Sequence, residues 1–296
     1  MLKTKTGSDL LLLLTAIIWG FAFVAQRAGM EYTGPFTFNA CRFLLGAAIL
    51  IPLVIKQKPN SFTKFYLHQS IKGGIVAGIL LFCGASLQQI GIIYTTAGNA
   101  GFITGFYVVL VPLFGIFFRH KTTINVWVGA ILALVGMYYL SVTNIDGFVI
   151  SKGDLLVFSG AFVWAFHVLV IGKYAPIANV IIIAVIQFFV CGLLSLLFAA
   201  YAEPFAIEGI IDAGIPILYG GILSVALAFT LQVVVQKHAH PSLAAIILSS
   251  EALFAALGGW LILNESLTTR GFFGCLLMLF GMIAAQVNIK LKRQKI

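Results

Sequence analysis

Runs of about 18 to 24 apolar residues, broken by charged or turn-forming residues, recur ten times along this chain. A helix rising 1.5 Å per residue needs about 20 such residues to cross the hydrocarbon core of a bilayer. The pattern therefore predicts spans over 9–27, 36–55, 71–94, 97–118, 124–142, 154–173, 179–201, 212–236, 242–263 and 270–289. The connections are short, so spans adjacent in sequence should be antiparallel neighbours. The N-terminal residues, MLKTKTGSD, lead straight into a run too long for the core of a signal peptide and followed by no small-x-small cleavage site. It is read as a retained helix.

Two of these stretches are not built for lipid alone. Tyr94 to Phe118 carries Asn99, four glycines (Gly98, Gly101, Gly105, Gly115) and Pro112. Gly98, Gly101 and Gly105 recur about once per turn and let a second helix backbone approach closely. Pro112 frees a carbonyl at membrane depth, which only protein or a wet cavity can satisfy. A second stretch of this design, His240 to Leu263, carries Glu251. The chain reads as two halves, each organised around one such helix, with a polar site between them.

The halves are related by sequence. Asp9-Leu10-Leu11 returns as Asp154-Leu155-Leu156, Trp19 as Trp164 and Phe43 as Phe188, all at a separation of 145 residues. At the same separation GAILALVGM (Gly129 to Met137) returns as GCLLMLFGM (Gly274 to Met282), while spans 4 and 9 pair at a slightly shorter one. Five spans per half is an odd number, so the second half enters the membrane from the opposite side. Inverted repeats of this kind imply alternating access around a site near the midplane. The expected architecture is an all-α integral membrane protein of ten transmembrane helices in two inverted five-helix repeats, 9–142 and 154–289, followed by a basic tail, 290–296. Spans 5 and 10 bear the paired glycine faces and are expected to be packing elements, against a neighbouring helix or a second protomer.

Composition agrees: 61% of the 296 residues are hydrophobic and 9% charged, with a mean hydropathy of +1.07. A soluble domain carries about 25% charged residues. The net charge of +9 is distributed as a topology signal and forms no aromatic-interleaved patch for nucleic acid. With ten spans, fourteen of the eighteen basic residues fall on the side of the termini and three (Arg27, Lys152, Arg270) on the other, while Arg42 lies within a span. That asymmetry places both termini in the cytoplasm, where the basic residues meet anionic lipid headgroups. Cys41, Cys83, Cys191 and Cys275 sit singly in apolar runs, with no CxxC spacing and no His cluster. No HExxH, Walker or dinucleotide-binding glycine motif is present, so neither an enzyme nor a metal or cofactor is expected.

WGFAFVAQR (Trp19 to Arg27), GPFTFNACRFLLGAAIL (Gly34 to Leu50), TTAGNAGFITGFYVVLVPLF and SSEALFAALGGWLILNESLT (Ser249 to Thr268) together resemble the EamA family of the drug/metabolite transporter superfamily. The resemblance covers about residues 9–289. It implies ten helices in two inverted repeats and export of amino acids or other small metabolites from the bacterial cytoplasmic membrane. Two positions depart from the family pattern. Ala252 follows Glu251 where a proline is usual, and the end of span 4 reads FFRHKTT, with Arg119 and Lys121 where a glutamate is usual.

Polar groups at membrane depth are the candidate substrate pathway, because each must face protein or water. Arg42 is either an anchor for an anionic group or a structural clamp. Glu251 is either a proton-carrying group or partner of a substrate amine, or else a structural residue, paired with Arg42 or hydrogen-bonded to a neighbouring helix. Glu265, at the outer end of span 9, reads as a loop cap or a partner of Arg270. His167 is either a coupling residue or a hydrogen-bonded packing residue. The amides Gln88, Gln89, Asn99, Gln187 and Gln232 serve as interhelical ties or line a wet pathway, and Trp19, Tyr107 and Trp164 either stack on a substrate or pack the core. The resulting expectation is a gradient-driven, multi-pass transporter of small metabolites, exporting by alternating access, with proton coupling and a homodimer both open. A passive facilitator on the same scaffold and a non-transport membrane enzyme or receptor are the alternatives.

Overall fold

The structure, a computed structural model, describes residues 5–57, 64–117, 123–141, 151–266 and 268–286. The basic tail 290–296, the Arg119–Lys121 segment and the ends of spans 5 and 10 lie outside the described residues. The described residues are overwhelmingly helical, and eight helices are long and apolar enough to cross a membrane.

In chain order the helices are α1 (Lys5–Gly29), α2 (Pro35–Ile55), α3 (Lys64–Gly91), α4 (Ala97–Thr104) and α5 (Tyr107–Phe117). Then come α6 (Ile124–Ser141), α7 (Lys152–Tyr174), α8 (Val180–Ala202), a short surface helix α9 (Ile207–Asp212) and α10 (Gly214–Leu218). A π-helical stretch (Tyr219–Phe229) joins α10 to α11 (Thr230–Gln236), and α12 (Pro241–Leu248), α13 (Glu251–Leu263) and α14 (Thr269–Gln286) complete the chain. Three of the eight membrane-length elements are therefore interrupted: Ala97–Phe117, Gly214–Gln236 and Pro241–Leu263. The other two predicted spans are α6 and α14, 18 residues each and shorter in their apolar stretch.

The helix ends follow local chemistry. Thr96 caps α4 by accepting from the Asn99 amide, and Ser151 and Asp154 form a reciprocal capping box on α7. Other caps come from far along the chain. Glu203 accepts from the Phe36 and Thr37 amides at the start of α2 (2.7 and 2.8 Å), and Glu265 accepts from the Ala97 and Gly98 amides at the start of α4 (2.9 and 3.1 Å). Each carboxylate supplies an acceptor to helix amides that have no partner of their own. Arg270 lies over the Tyr138 and Tyr139 rings instead of pairing with Glu265.

Glycines set the helix contacts. On α4, a Cβ at Gly101 would stand 2.5 Å from Ala255 Cβ, so α13 occupies the close-approach face the sequence predicts. The paired glycine faces of α6 and α14 meet each other rather than a second protomer. A Cβ at Gly129 would stand 2.6 Å from the Gly281 carbonyl oxygen, and one at Gly136 would stand 2.5 Å from that of Gly274. The two helices run antiparallel with their backbones in contact. Gly281→Leu is therefore expected to force them apart, because the obstructing atoms are backbone atoms of Gly129 and Ala133. Overpacking of this kind costs about 1–3 kcal/mol, so a fall of several degrees in the melting temperature of the detergent-solubilised protein should follow. An unchanged value would sever the link between these glycines and stability.

Candidate functional site

The two interrupted elements Ala97–Phe117 and Pro241–Leu263 break in the same way. At the first, Phe106 N–H bonds to the Ile103 carbonyl, Val108 to Gly105 and Val109 to Phe106; at the second, Ser250 bonds to Ile247, Ala252 to Ser249 and Leu253 to Ser250. These tight i to i−3 bonds end one helix and start another with two residues between them, inside an element long and apolar enough to cross a membrane. The break lies at Gly105–Phe106, not at Pro112, which sits inside α5. The Ser249 and Ser250 hydroxyls turn back onto the Ile246 and Ile247 carbonyls, which favours a bend. As a result Tyr107 and Glu251, the first residues of α5 and α13, line a common cavity. The positive end of the α13 dipole lies beside the Glu251 carboxyl.

The cavity is small, about 40 Å³, which is room for a few water molecules. It gathers seven of the candidate pathway residues: Trp19, Arg42, Gln88, Tyr107, Trp164, Gln232 and Glu251. A metabolite would need its walls to part.

Its electrostatics are unusual for a buried site. Arg42 is 3% exposed and donates from Nε to Asn39 Oδ1 at 2.9 Å. Its guanidinium rests on the rings of Phe43 (4.8 Å) and Phe38 (5.5 Å). Gly220, in the π-helical stretch, leaves space for its side chain. Among the described residues no carboxylate pairs with it. Glu251, 4% exposed, faces the Tyr107 hydroxyl, which stops short of hydrogen-bond geometry. The expected alternative of an Arg42–Glu251 ion pair is therefore not what the fold makes: each group occupies its own part of the cavity wall.

Amides and indoles form the remaining wall. Gln88 donates to Gln26 Oε1 (2.9 Å) and accepts from Trp164 Nε1 (3.1 Å), and Thr104 reaches the same Gln88 oxygen at 3.4 Å. Gln89 does not line the cavity and donates to the Gln26 main-chain carbonyl. Trp19 Nε1 donates to the Ser224 carbonyl at 3.2 Å, and the Trp19 ring meets Phe229 at 4.5 Å. Gln26, Thr104, Ser224 and Phe229 line the cavity but were not legible as site residues. Gln26 abuts Arg27 at a helix end and reads as interfacial, and Ser224 acts through its backbone. The one signal for Gln26 is the adjacent Gln88-Gln89 pair, which needs polar partners at that depth.

The other candidates also lie elsewhere. His167 and Gln187 do not line the cavity; they bond to each other (3.0 Å), fully buried behind Phe229 and Trp164. Asn99 lies in a separate vestibule of about 690 Å³ with Arg27, Glu31, Asp154 and Glu265. Among the described residues no group of three or more His, Cys, Asp or Glu side chains is placed to hold a metal.

Comparison with known proteins accords with this architecture. Residues 6–142 and 151–285 each match the EamA-like transporter family. An uncharacterized transporter of Archaeoglobus fulgidus is 32% identical over 95% of this chain and 86% of its own length. The uncharacterized transporter YvbV of Bacillus subtilis is 25% identical over 98% and 94%. A solved crystal structure of 17% sequence identity superposes with a TM-score of 0.78, covering 96% of this chain and 97% of that one, and so shares the fold. The names attached to family and relatives are those of transporters rather than enzymes. Matched in both halves and aligned with its relatives nearly end to end, the chain belongs to the EamA-like transporter family and is a multi-pass membrane transporter of the drug/metabolite transporter superfamily.

Proposed function

We propose that this protein is a secondary-active exporter of small zwitterionic metabolites, amino acids or close relatives, in the bacterial cytoplasmic membrane. It works by alternating access between two inverted five-helix repeats, residues 9–142 and 154–289, with both termini in the cytoplasm. The observation that carries the reading is the Arg42 guanidinium and the Glu251 carboxyl on the wall of one buried cavity without pairing with each other. Holding an unpaired guanidinium and an unpaired carboxyl at membrane depth is costly, and a ligand bearing both a carboxylate and an ammonium would give each of them a partner at once. Gln88, Gln232, Tyr107 and the two indoles of Trp19 and Trp164 complete the site, and His167–Gln187 supports its wall from behind.

The packing supports the repeat. α2 packs on α8 and α6 on α14, and α3 packs on α7 as Gly214–Gln236 packs on α1. Exchanging the halves leaves this pattern unchanged. It also carries the Gly129–Gly281 contact into the Gly136–Gly274 contact, since these glycines pair at the 145-residue separation. The distribution of basic residues supports cytoplasmic termini, with the tail against anionic lipid.

A thermal-shift screen tests the substrate class, using amino acids, nucleoside metabolites, polyamines and cationic drugs at millimolar concentration. A ligand present at 100 times its Kd stabilises by about 2.7 kcal/mol. Zwitterions are expected to raise the melting temperature and then to drive counterflow in proteoliposomes. Stabilisation by polyamines or cationic drugs alone would overturn the zwitterion class.

A further inference from the structure

The two halves do not treat their equivalent tryptophans alike. Trp19 and Trp164 correspond at the 145-residue separation. The broken elements correspond at 144 residues, as their matching i to i−3 bonds show, and the helix caps Thr96 and His240 agree with that register. Carried back into the preceding helices, the same register makes Gln232 the counterpart of Gln88. Trp164 donates to Gln88 Oε1 at 3.1 Å, tying α7 to α3 across the two halves. Trp19 does not make the equivalent bond to Gln232. It donates to the Ser224 carbonyl, presented by the π-helical stretch, at 3.2 Å. Gln232 Oε1 is left buried with no partner, in a side chain 1% exposed on the cavity wall.

A buried acceptor without a donor is unfavourable by an amount comparable to a lost hydrogen bond. Here the missing donor stands on the same cavity wall, engaged one step away. In a transporter of inverted repeats, one conformation becomes the other when the halves exchange their arrangements. We infer that the two tryptophan–glutamine pairs are reciprocal ties of the transport cycle. Trp164–Gln88 holds the half of the cavity away from the termini closed, as in this structure. When it parts, Trp19 leaves the Ser224 carbonyl for Gln232 Oε1 and closes the half near the termini. The π-helical stretch is the element that makes the asymmetry, because its altered bonding register offers Trp19 a backbone acceptor that the regular α3 does not offer Trp164. Gln88 and Gln232 are then positioning residues for the conformational step. The inference rests on the inverted-repeat reading above.

The test reads conformation without substrate. Ala22 and Val168 line the cavity, and in the inverted-repeat arrangement they fall on opposite sides of the two tryptophans. In a background with the four native cysteines replaced, Ala22→Cys and Val168→Cys report access from the two faces to a membrane-impermeant maleimide, in right-side-out and inverted vesicles. Gln88→Leu removes the tie that is made here, so labelling of Ala22→Cys from outside should rise and labelling of Val168→Cys from the cytoplasmic side should fall. Gln232→Leu removes only the tie of the alternate state and should shift both rates the other way. One net hydrogen bond corresponds to a change of about three- to ten-fold in the ratio of the two rates. If Gln88→Leu does not accumulate, Trp164→Phe removes the same bond and is read in its place. Shifts of the same sign, or none in either variant, would overturn the reciprocal ties. Labelling of both cysteines from one face in the unmodified pair would instead overturn the inverted-repeat reading.

Discussion

Arg42→Ala is expected to abolish substrate stabilisation and transport while leaving the protein at least as thermally stable as before. The two halves of that result have different origins. Deleting one member of a buried, hydrogen-bonded charge pair costs about 2–5 kcal/mol. If Arg42 holds a substrate carboxylate, affinity should therefore fall by at least about thirty-fold, below detection for a millimolar ligand. In the empty protein Arg42 has no carboxylate partner among the described residues; it has one bond to Asn39 and two aromatic faces. Removing a desolvated charge that lacks a counter-ion relieves a penalty rather than creating one. Arg42→Lys should keep the charge but lose the planar fork that grips a carboxylate, giving an intermediate affinity. A large fall in melting temperature of the ligand-free Arg42→Ala protein would identify Arg42 as a structural clamp.

Much of the architecture could be read from hydropathy, and the places where it could not are instructive. The spans beginning at Pro35, Ala97, Val180 and Pro241 fall within a residue of their predicted starts, because each opens at a proline or at a capped polar residue. α3 begins at Lys64, seven residues before the predicted 71. Hydropathy reports where a chain enters hydrocarbon, whereas a helix continues through the polar turns carrying Lys64 and His68 for as long as its backbone bonds are made. The π-helical stretch left no trace, since its side chains are as apolar as those of any span. The break before Glu251 was masked for the same reason: Ser249 and Ser250 are small and satisfy themselves on their own helix.

The candidate site was legible by residue type and illegible by partnership. A polar side chain in a span announces that it must face something, and seven of the candidates do meet in one cavity. Sequence cannot say which meets which. His167 and Gln187, twenty residues apart on different helices, satisfy each other and leave the cavity wall. Arg42 and Glu251, whose opposite signs suggested a pair, stand on different parts of the cavity wall, Arg42 against Asn39 and the Phe38 and Phe43 rings and Glu251 beside Tyr107. Backbone acceptors such as the Ser224 carbonyl carry no sequence signal at all.

Glu251→Gln separates the chemistry of the carboxyl from its shape. The substitution is isosteric, and Glu251 stands at the first position of α13 with the Tyr107 hydroxyl facing it, so the fold should persist. Transport should fall at least about ten-fold, as an amide can neither carry a proton across the cycle nor hold an ammonium as a charge partner. The parent's flux is expected to differ between pH 6 and pH 8 in proteoliposomes, and whatever flux remains in the variant should lose that difference. Glu265→Gln is the control with the opposite signature. That carboxylate accepts from two amides at the start of α4, outside the cavity. Its loss should cost about 1 kcal/mol of stability, as for other helix caps, and leave the pH dependence intact. If both variants show equal and small effects on transport, Glu251 is a structural residue. In that case the charge that draws a zwitterion into the cavity would be that of Arg42 alone.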